Sequence, residues 1–334
     1  MKEIKDKSIR IRSATKKDLP KLVKFSLLCE NEKVVLSNKG HFWQKHLDKK
    51  LIEQLIKKGL QNKNNYLLIA EDSTRNCIGF LRAVLVNMDP IMKVRTICGL
   101  KELVVLPRSD EKKVLIKLVN TLIKKIQTKT KYFTIHVDSN NKKVMADYIE
   151  IGFRPSYLCL GKQVKAINEI KNQDIKVRSA TQMDLSELVK LHILFELEER
   201  KITGTGDFWR SYLNKALVKK DIQGLFKDKN NYYFVAENFQ GKIIGFLNAL
   251  LEEMPQTIKT NCVCGMKILY VLPEYRGKTI SSMLMTTMEK IIIKKTKYFV
   301  IYVYPNNKKA MAIYLKNGFN PLYLCLGKQI KKRI

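Results

Sequence analysis

The amino-acid sequence predicts a mixed α/β fold, a mixed sheet with helices on its faces, that occurs twice in tandem. Two observations support this prediction. Many short segments recur at one constant spacing, and in each copy strand-like runs are interleaved with runs of helical spacing. The 334 residues are also enough for two domains that each bury a core. Strands and helices that alternate in this way typically form one sheet covered by helices.

The repeat consists of identical segments that lie 166 positions apart. The segment Arg-Ser-Ala-Thr at 12–15 recurs at 178–181, and Tyr-Leu-Cys-Leu-Gly-Lys-Gln at 157–163 recurs at 323–329. One offset holds from end to end, so no insertion separates the copies. The period is far too long for a solenoid, and we expect two ordinary domains.

The repeat also predicts the domain boundaries. A polar segment at 168–174 follows the last repeated run of the first copy and is the natural linker. The predicted domains are therefore residues 1–167 and 175–334. Because the register between them is constant, each copy serves as a control for the other.

Both copies have the same predicted order of elements, and the second copy illustrates it. Apolar runs and alternating runs predict strands, and apolar residues at helical spacing predict helices. The predicted strands are 175–180, 232–236, 243–251, 262–272, 298–303 and 319–329. The predicted helices are 185–200, 208–226, 277–294 and 307–315. Gly318 ends the last helix, because a left-handed C-terminal position favours glycine.

The composition indicates a soluble cytoplasmic protein. Apolar residues make up 45% and charged residues 28%, as in globular proteins. We find no apolar segment typical of a secretory signal and no run near the roughly 20 residues that span a bilayer. Seven scattered cysteines indicate small buried side chains in a reducing compartment. Four histidines and no Cys-x-x-Cys pair give no pattern for a metal, so none is expected.

The formal net charge of +32 is the strongest compositional signal. A field of this sign attracts nucleic acid, anionic membranes and polyanionic small molecules. Only 12 of the 63 basic residues are arginine, whereas recognition of phosphates and bases in nucleic acid usually favours arginine. The basic residues are also spread along the chain. A nucleic-acid partner is therefore compatible with the sequence but not favoured, and no membrane partner is expected.

One strand-to-helix junction in the second copy carries the clearest chemical signal. It combines a proline, two basic residues, a glycine and three small hydroxyl residues: Pro273, Arg276, Gly277, Lys278, Thr279, Ser281 and Ser282. The start of a helix offers unpaired N–H groups and a positive dipole end to a phosphate. Small side chains let the phosphate approach the backbone, and basic residues add charge. The alternative interpretation is a capped helix in a basic protein.

A second segment, Asn-Lys-Lys-Ala-Met-Ala-Ile-Tyr-Leu-Lys-Asn-Gly-Phe at 307–319, follows the junction. Together the two segments resemble the GNAT N-acetyltransferase superfamily, whose order of strands and helices also fits both copies. The resemblance implies two tandem GNAT-like acyl-CoA N-acyltransferase domains. It also implies that the family's Arg/Gln-x-x-Gly-x-Gly/Ala loop, corresponding to 276–281 in this chain, cradles the pyrophosphate of acetyl-CoA. Thr279 and Ser281 replace both usual loop glycines.

The same resemblance implies which residues contact acetyl-CoA, the expected cosubstrate. They are Val271, Leu272, Arg276, Gly277, Lys278, Thr279, Ile280, Ser281, Ser282 and Asn307. A backbone N–H at the end of the strand, near Val271 and Leu272, would polarise the thioester carbonyl. A neutral amine would then attack directly, and Tyr314 would protonate the departing thiolate as general acid. A tyrosine on an amphipathic helix is otherwise usually a core residue with a wet tip.

The general base remains open in the sequence. Many members of the family use a glutamate in the strand before the loop, and Glu102 occupies this position in the first copy, but the second copy has Ile268. Glu252 and Glu253 at the end of the preceding strand are substitutes, and Glu253 is our candidate base. An ordinary solvated carboxylate is the alternative for both.

Two further carboxylates are candidates for an amine-binding site. Glu196 and Glu198 on the first helix of the second copy recur from Glu30 and Glu32 in the first. They could line the site for the acceptor amine, and a solvated helix face is again the alternative.

The phosphate loop differs between the copies. Where the second copy has Arg-Gly-Lys-Thr at 276–279, the first has Asp-Glu-Lys-Lys at 110–113. Acidic residues in the first turn of a helix satisfy its dipole and repel a diphosphate. The first copy is therefore predicted to have a degenerate coenzyme site.

The sequence predicts an acetyltransferase whose C-terminal domain transfers an acetyl group from acetyl-CoA to a primary amine. The class of the acceptor is open, and a protein or another acidic macromolecule is one option. The alternative function is that of a non-catalytic GNAT-like protein that binds nucleic acid or an acidic partner through its basic surface.

Overall fold

The computed structural model describes residues 9–36, 48–88, 94–107, 110–167, 170, 172–203, 214–254 and 260–330. The strands of the first copy are β1 (Arg10–Ser13), β2 (Asn65–Glu71), β3 (Cys77–Asn87), β4 (Thr96–Val105), β5 (Tyr132–Asp138) and β6 (Arg154–Gln163). Its helices are α1 (Leu19–Leu36), α2 (Lys49–Gln61), α3 (Glu111–Ile126) and α4 (Lys142–Glu150).

The second copy repeats this order. Its strands are β7 (Ile175–Ser179), β8 (Asn231–Asn238), β9 (Ile243–Glu253), β10 (Cys262–Val271), β11 (Tyr298–Val303) and β12 (Asn320–Gln329). Its helices are α5 (Leu185–Thr203), α6 (Lys215–Lys227), α7 (Ile280–Ile292) and α8 (Lys308–Lys316). The predicted mixed α/β class and the predicted order of elements are confirmed.

The chain forms two compact units whose limits differ from those of the repeat. The described residues up to 156, together with 323–330, form unit 1, and the described residues between 157 and 322 form unit 2. Most of β6 thus belongs to unit 2, and most of β12 belongs to unit 1. The units therefore differ from the predicted domains 1–167 and 175–334 at these two strands. The described residues of the predicted linker lie within unit 2.

Unit 2 contains one mixed sheet with the strand order β7-β8-β9-β10-β11-β6. β10 and β11 are parallel, and the other neighbours are antiparallel. β6 pairs with β11 from Tyr298 opposite Gln163 to Val303 opposite Leu158. Unit 1 has the equivalent order β1-β2-β3-β4-β5-β12, with Tyr323 opposite Asp138.

Helices cover both faces of the unit 2 sheet because two sets of apolar side chains point to opposite sides. On one face α7 contributes buried residues spaced four apart, which are Ile280, Leu284, Met288 and Ile292. On the other face α5 and α6 contribute Leu188, Leu191, Val218 and Ile222, which pack on Tyr233 and Phe246. Burial of each large apolar side chain contributes about 1.5–3 kcal/mol.

The repeated Arg-Ser-Ala-Thr segment has a structural role in unit 2. Arg178 binds Asp184 through Nη1 and Nη2, both at 2.8 Å, and its Nε donates to Glu237 at 3.0 Å. The amide of Thr181 also donates to Asp184 at 2.7 Å. The Arg178 guanidinium lowers the pKa of Asp184 to about 2. This network fastens β7 and the start of α5 to β8.

One helix boundary differs from the prediction because of a cap. α6 begins at Lys215, where the side chain of Asn214 accepts hydrogen bonds from the amides of Ala216 and Leu217. The predicted start at residue 208 lies outside the described residues. Gly318 has a φ of +82° after α8, which confirms the predicted left-handed helix end. In the described part of the chain, no helix is both long and apolar enough to cross a membrane.

Candidate active site

A gap in the sheet opens between β10 and β11. Cys264–Met266 are aligned with Phe299–Ile301, and the pairing stops there although β10 continues to Val271 and β11 to Val303. The register of β10 against β9 shifts at the same point, between Met266 and Ile268. Such a bulge bends the strand and increases its twist. The C-terminal halves of the two parallel strands therefore separate.

Backbone amides of β10 face this gap. Leu272 N donates to Ile244 O at 2.9 Å, so the amide of Leu272 points towards β9. N–H groups of successive residues point to opposite edges of a strand. The amides of Leu269 and Val271 consequently point towards β11, beyond the end of the pairing. Of the two predicted positions, Val271 can offer its amide to a ligand in the gap, whereas the amide of Leu272 is already bonded.

The loop after β10 adopts two left-handed residues before α7. Gly277 has a φ of +82° and Thr279 a φ of +63°. For a residue with a Cβ this conformation costs about 1–2 kcal/mol. α7 therefore begins at Ile280 and not at the predicted residue 277, and its first helical hydrogen bond runs from Met283 N to Thr279 O at 3.0 Å. Thr279, which stands in place of a loop glycine, thus adopts a backbone conformation that suits glycine.

The N-terminus of α7 has no side-chain cap. The hydroxyl of Thr279 donates to Lys278 O at 2.5 Å and accepts no hydrogen bond from the helix. The amides of Ile280, Ser281 and Ser282 precede the first helical hydrogen bond, so they have no partner within the helix. These amides and the positive dipole end form a setting that suits a phosphate.

Arg276 fastens the loop to the rest of unit 2. Its Nε donates to Val271 O at 2.9 Å, and its Nη2 forms an ion pair with Glu198 Oε2 at 2.7 Å. The guanidinium also lies 5.5 Å from the centroid of the Tyr270 ring, whose hydroxyl donates to Glu198 Oε1 at 3.1 Å. Two residues with separate predicted roles, Arg276 for phosphate and Glu198 for the amine, are therefore bound to each other.

Two lysines beside the loop carry positive charge close to Tyr275. Lys278 Nζ lies 5.5 Å and Lys242 Nζ 5.8 Å from the centroid of its ring. Cations over an aromatic face are attracted by the ring quadrupole. The start of α7 is therefore a positively charged surface in addition to its dipole.

Tyr314 lies on α8 with its ring in the core of unit 2. Its side chain is 6% exposed, and its ring contacts Phe319 with 6.1 Å between centroids. Burial raises the pKa of its hydroxyl, and the negative charge of Glu199 raises it further. The hydroxyl makes no hydrogen bond with the described residues. Asn307 caps α8 by accepting from Ala310 N at 3.1 Å, so its oxygen already has a structural partner.

Glu199 is a polar group that the sequence analysis missed. It lies on α5, and burial together with the charge of Glu196 raises its pKa to about 7. The pKa of Glu196 is also raised by burial, against an opposing effect of Arg200. The repeat gave no signal for Glu199, because the first copy has Lys33 at that position. Its spacing of three from Glu196 could have placed both on one helix face.

The structure does not bring Glu253 to this site. Glu253 is exposed and pairs with Cys262 at the start of β10, whereas Val271 and the loop lie at the other end of the strand. Glu252 forms an ion pair with Lys267. In the described residues, no group of three His, Cys, Asp or Glu side chains could hold a metal ion.

The equivalent helix start in unit 1 is satisfied by its own side chains. Asp110 caps α3 by accepting from Lys113 N at 3.1 Å, and Glu111 forms an ion pair with Lys143 at 3.0 Å. A carboxylate in this position takes the place that a phosphate would occupy. The degenerate coenzyme site of the first copy stays a prediction.

Glu102, at the family's usual base position in unit 1, is committed to other contacts. It accepts from Ser26 Oγ and from Arg82 Nη2, both at 2.7 Å, and it is buried. Both oxygens of this carboxylate therefore already have partners within unit 1.

Comparison with known proteins supports the fold and the family. Residues 229–321, within unit 2, match the family described as acetyltransferase (GNAT) domain, which confirms the predicted resemblance. A search of curated proteins found no match.

Two solved structures share the fold. A GCN5-related N-acetyltransferase from Sphaerobacter thermophilus has 13% identity and a TM-score of 0.56, and the match covers 98% of this chain and 97% of that one. A GCN5-related glucosamine N-acetyltransferase region in a fungal multi-domain GH3 β-N-acetylglucosaminidase has 13% identity and a TM-score of 0.50. That match covers 97% of this chain and 38% of the fungal protein. At these identities the likeness concerns the fold.

Proposed function

Because residues 229–321 match the GNAT acetyltransferase domain family, we propose that unit 2 transfers the acetyl group of acetyl-CoA to a primary amine. The observation that carries this proposal is the uncapped start of α7, where three amides and a positive dipole end lie beside the gap between β10 and β11. The fold supplies a place for the thioester, and the helix start supplies a place for the phosphates.

The pyrophosphate binds at the amides of Ile280, Ser281 and Ser282. The two serines are small enough to let a phosphate reach the backbone, and Lys278 adds a point charge beside it. The charges around α3 support this interpretation. There Lys112 forms an ion pair with Glu150, and the equivalent positions in unit 2 are Lys278 and Lys316, which bear the same charge.

The acetyl transfer uses the Val271 amide, which faces the gap, and the hydroxyl of Tyr314. The Val271 amide donates to the thioester oxygen and stabilises the negative charge that develops when the amine attacks. Tyr314 then donates its proton to the sulfur as the C–S bond breaks. The raised pKa of Tyr314 keeps its hydroxyl protonated at neutral pH, as this role requires.

The proposal is tested with the purified full-length protein, acetyl-CoA and a panel of small primary amines. Release of the free coenzyme thiol is followed by a colorimetric thiol reagent, and the acetylated amine is identified by mass spectrometry. We expect saturable, amine-dependent thiol release. Failure of acetyl-CoA to bind at millimolar concentration would contradict the proposal.

A second candidate function, nucleic-acid binding, is favoured by the net charge of +32 alone. Binding of this kind is dominated by release of counterions and does not depend on base sequence. It would therefore weaken steeply when salt is raised. Absence of binding to double-stranded DNA and to RNA at low salt would remove this candidate.

A further inference from the structure

Glu198 of α5 binds two side chains at the end of β10. Its Oε1 accepts a hydrogen bond from the Tyr270 hydroxyl at 3.1 Å, and its Oε2 forms an ion pair with Arg276 Nη2 at 2.7 Å. Tyr270 directly precedes Val271, and Arg276 Nε donates to Val271 O at 2.9 Å. The carboxylate of Glu198 is therefore connected, through two side chains, to the residue whose amide is proposed to bind the thioester oxygen.

The two polar backbone groups of Val271 point to the same edge of β10. Leu272 N donates to Ile244 O of β9 at 2.9 Å, and successive residues of a strand turn their N–H and C=O groups to opposite edges. The N–H and C=O of Val271 therefore both point away from β9, into the gap beyond the last pair of β10 with β11. Because Arg276 holds the C=O on this edge, it also sets the direction of the neighbouring N–H.

Glu198, Tyr270 and Arg276 also contact one another pairwise. The guanidinium of Arg276 lies 5.5 Å from the centroid of the Tyr270 ring, whose face attracts a cation. Burial, together with the charge of Glu198, raises the pKa of Tyr270 to about 12. Its hydroxyl consequently keeps its proton at neutral pH and stays a donor to Glu198. The three side chains form a closed network beside Val271.

The first copy lacks two members of this network. Tyr270 and Arg276 correspond to Val104 and Asp110 in the first copy, which keeps only a glutamate, Glu32, at the third position. The network is thus confined to the copy whose helix start has no side-chain cap.

The ion pair of the network is largely open to solvent. The side chain of Glu198 is 33% exposed and that of Arg276 is 44% exposed. A pair with this exposure contributes little to the free energy of unfolding. Removing the carboxylate should therefore leave unit 2 folded, and its main consequence should be a less restrained Val271.

We propose that Glu198 is a positioning residue, which directs the Val271 amide at the thioester oxygen through Arg276 and Tyr270. The proposal rests on the proposed acetyl transfer and deepens it. It gives Glu198 and Arg276 one shared role, in place of the separate amine-binding and phosphate-binding roles that the sequence predicts for them.

Steady-state kinetics of the full-length Glu198→Ala variant separate these roles. The acceptor is the amine of the panel that the wild type acetylates with the highest kcat/KM. A misdirected amide weakens the stabilisation of the developing negative charge but not the binding of either substrate. We expect kcat to fall by about 10-fold or more, whereas the amine KM and the calorimetric Kd of acetyl-CoA change by less than about threefold.

Infrared spectroscopy of bound acetyl-CoA, labelled with ¹³C at the acetyl carbonyl, reads out the Val271 amide without an acceptor. A hydrogen bond that polarises the carbonyl lowers its stretching frequency. We expect a lowered frequency in the wild type, a value closer to that of free acetyl-CoA in Glu198→Ala, and a smaller change in Tyr270→Phe, which removes one of the two contacts of Glu198.

Two further variants serve as controls. Glu187→Gln removes an exposed ion pair with Lys190 at 2.7 Å on the same helix and should leave kcat and the carbonyl frequency unchanged. Glu198→Gln keeps the size of the side chain but loses its charge, and it should lower kcat less than Glu198→Ala does. It also tests the role if Glu198→Ala does not fold.

The possible failures are distinguishable. Wild-type kcat and carbonyl frequency in the Glu198 variants would overturn the positioning role while acetyl transfer stands. A raised amine KM at unchanged kcat would overturn it in favour of amine binding, and a lost acetyl-CoA affinity in a folded variant would overturn it in favour of phosphate binding. Failure of the wild type to bind acetyl-CoA would contradict the proposed function itself.

Discussion

The helix starts of α3 in unit 1 and α7 in unit 2 occupy equivalent positions but differ in how their free amides are satisfied. α3 is capped by Asp110, whereas α7 has no side-chain cap and follows a left-handed Thr279. A side-chain cap is worth about 1 kcal/mol. Unit 2 forgoes this stabilisation at the place where a phosphate would bind. The same strand-to-helix junction can therefore carry a side-chain cap that stabilises the helix, or leave its amides available to a ligand.

The charged residues near these two helix starts also differ between the units. Unit 1 has carboxylates at Asp110, Glu111 and Glu150, and the equivalent residues of unit 2 are Arg276, Gly277 and Lys316. On α5, Glu199 of unit 2 stands where the first copy has Lys33. The start of α7 in the second copy thus carries positive charge where the start of α3 in the first copy carries negative charge.

The largest expected effect comes from deleting the residues after 322. These residues belong to the second copy by sequence but to unit 1 by their contacts, so the deletion distinguishes the compact units from the copies of the repeat. This deletion removes most of β12, which pairs with β5 from Tyr132 to Asp138. Loss of the buried residues Leu324, Cys325 and Leu326 should destabilise unit 1 by at least about 3 kcal/mol. Hydrogen exchange followed by mass spectrometry should show faster exchange in β5.

β11 serves as the control for this deletion, because it pairs with β6 and not with β12 in the described structure. Exchange in β11 should stay slow. Fast exchange in β11 with slow exchange in β5 would mean that the compact units follow the repeat after all.

Next in size is the effect of removing the proposed acid. Tyr314→Phe keeps the buried ring and deletes the hydroxyl, so kcat should fall by about 100-fold or more while the affinity for acetyl-CoA stays unchanged. The matched variant Tyr148→Phe changes the equivalent buried tyrosine of unit 1 and should leave kcat unaltered. Steady-state kinetics and calorimetry measure both quantities. Equal losses in the two variants would refute a role confined to unit 2.

The smallest expected effect concerns the backbone of the two loops. Thr279→Gly relieves a left-handed conformation and should raise the free energy of unfolding by about 0.5–1 kcal/mol, after the entropy of glycine is subtracted. Lys113→Gly places glycine in the first turn of α3 and should lower it by a similar amount, about 0.5–1 kcal/mol. Denaturant unfolding of the full chain measures both. Two changes of the same sign would show that the loops do not differ as described.

Much of the fold was accessible from the sequence, since apolar patterns and the repeat predict the order of elements in both copies. The assignment of β6 and β12 to the units was not accessible. The two strands share the segment Tyr-Leu-Cys-Leu-Gly-Lys-Gln, so their sequences do not say which neighbour each one takes.

The site was accessible in part. Composition and glycine content locate the loop, but they do not reveal that Arg276 binds Glu198 or that the Leu272 amide is bonded to β9. Glu199 was missed because burial, which a single sequence does not display, is what perturbs its pKa. Glu253 was chosen because it lies close to β10 in the sequence. The strand register places it beside Cys262, at the end of β10 opposite to Val271 and the loop.

The central claim is that one acetyl-CoA binds per chain, at the start of α7. Ser281→Glu tests it most directly, because an acidic residue in the first turn favours the helix while it occupies and repels the phosphate site. The matched variant is Lys113→Glu in the first turn of α3. In titration calorimetry we expect one site in the wild type, no binding in Ser281→Glu and unchanged binding in Lys113→Glu. Two sites per chain, or binding that survives Ser281→Glu, would contradict the account.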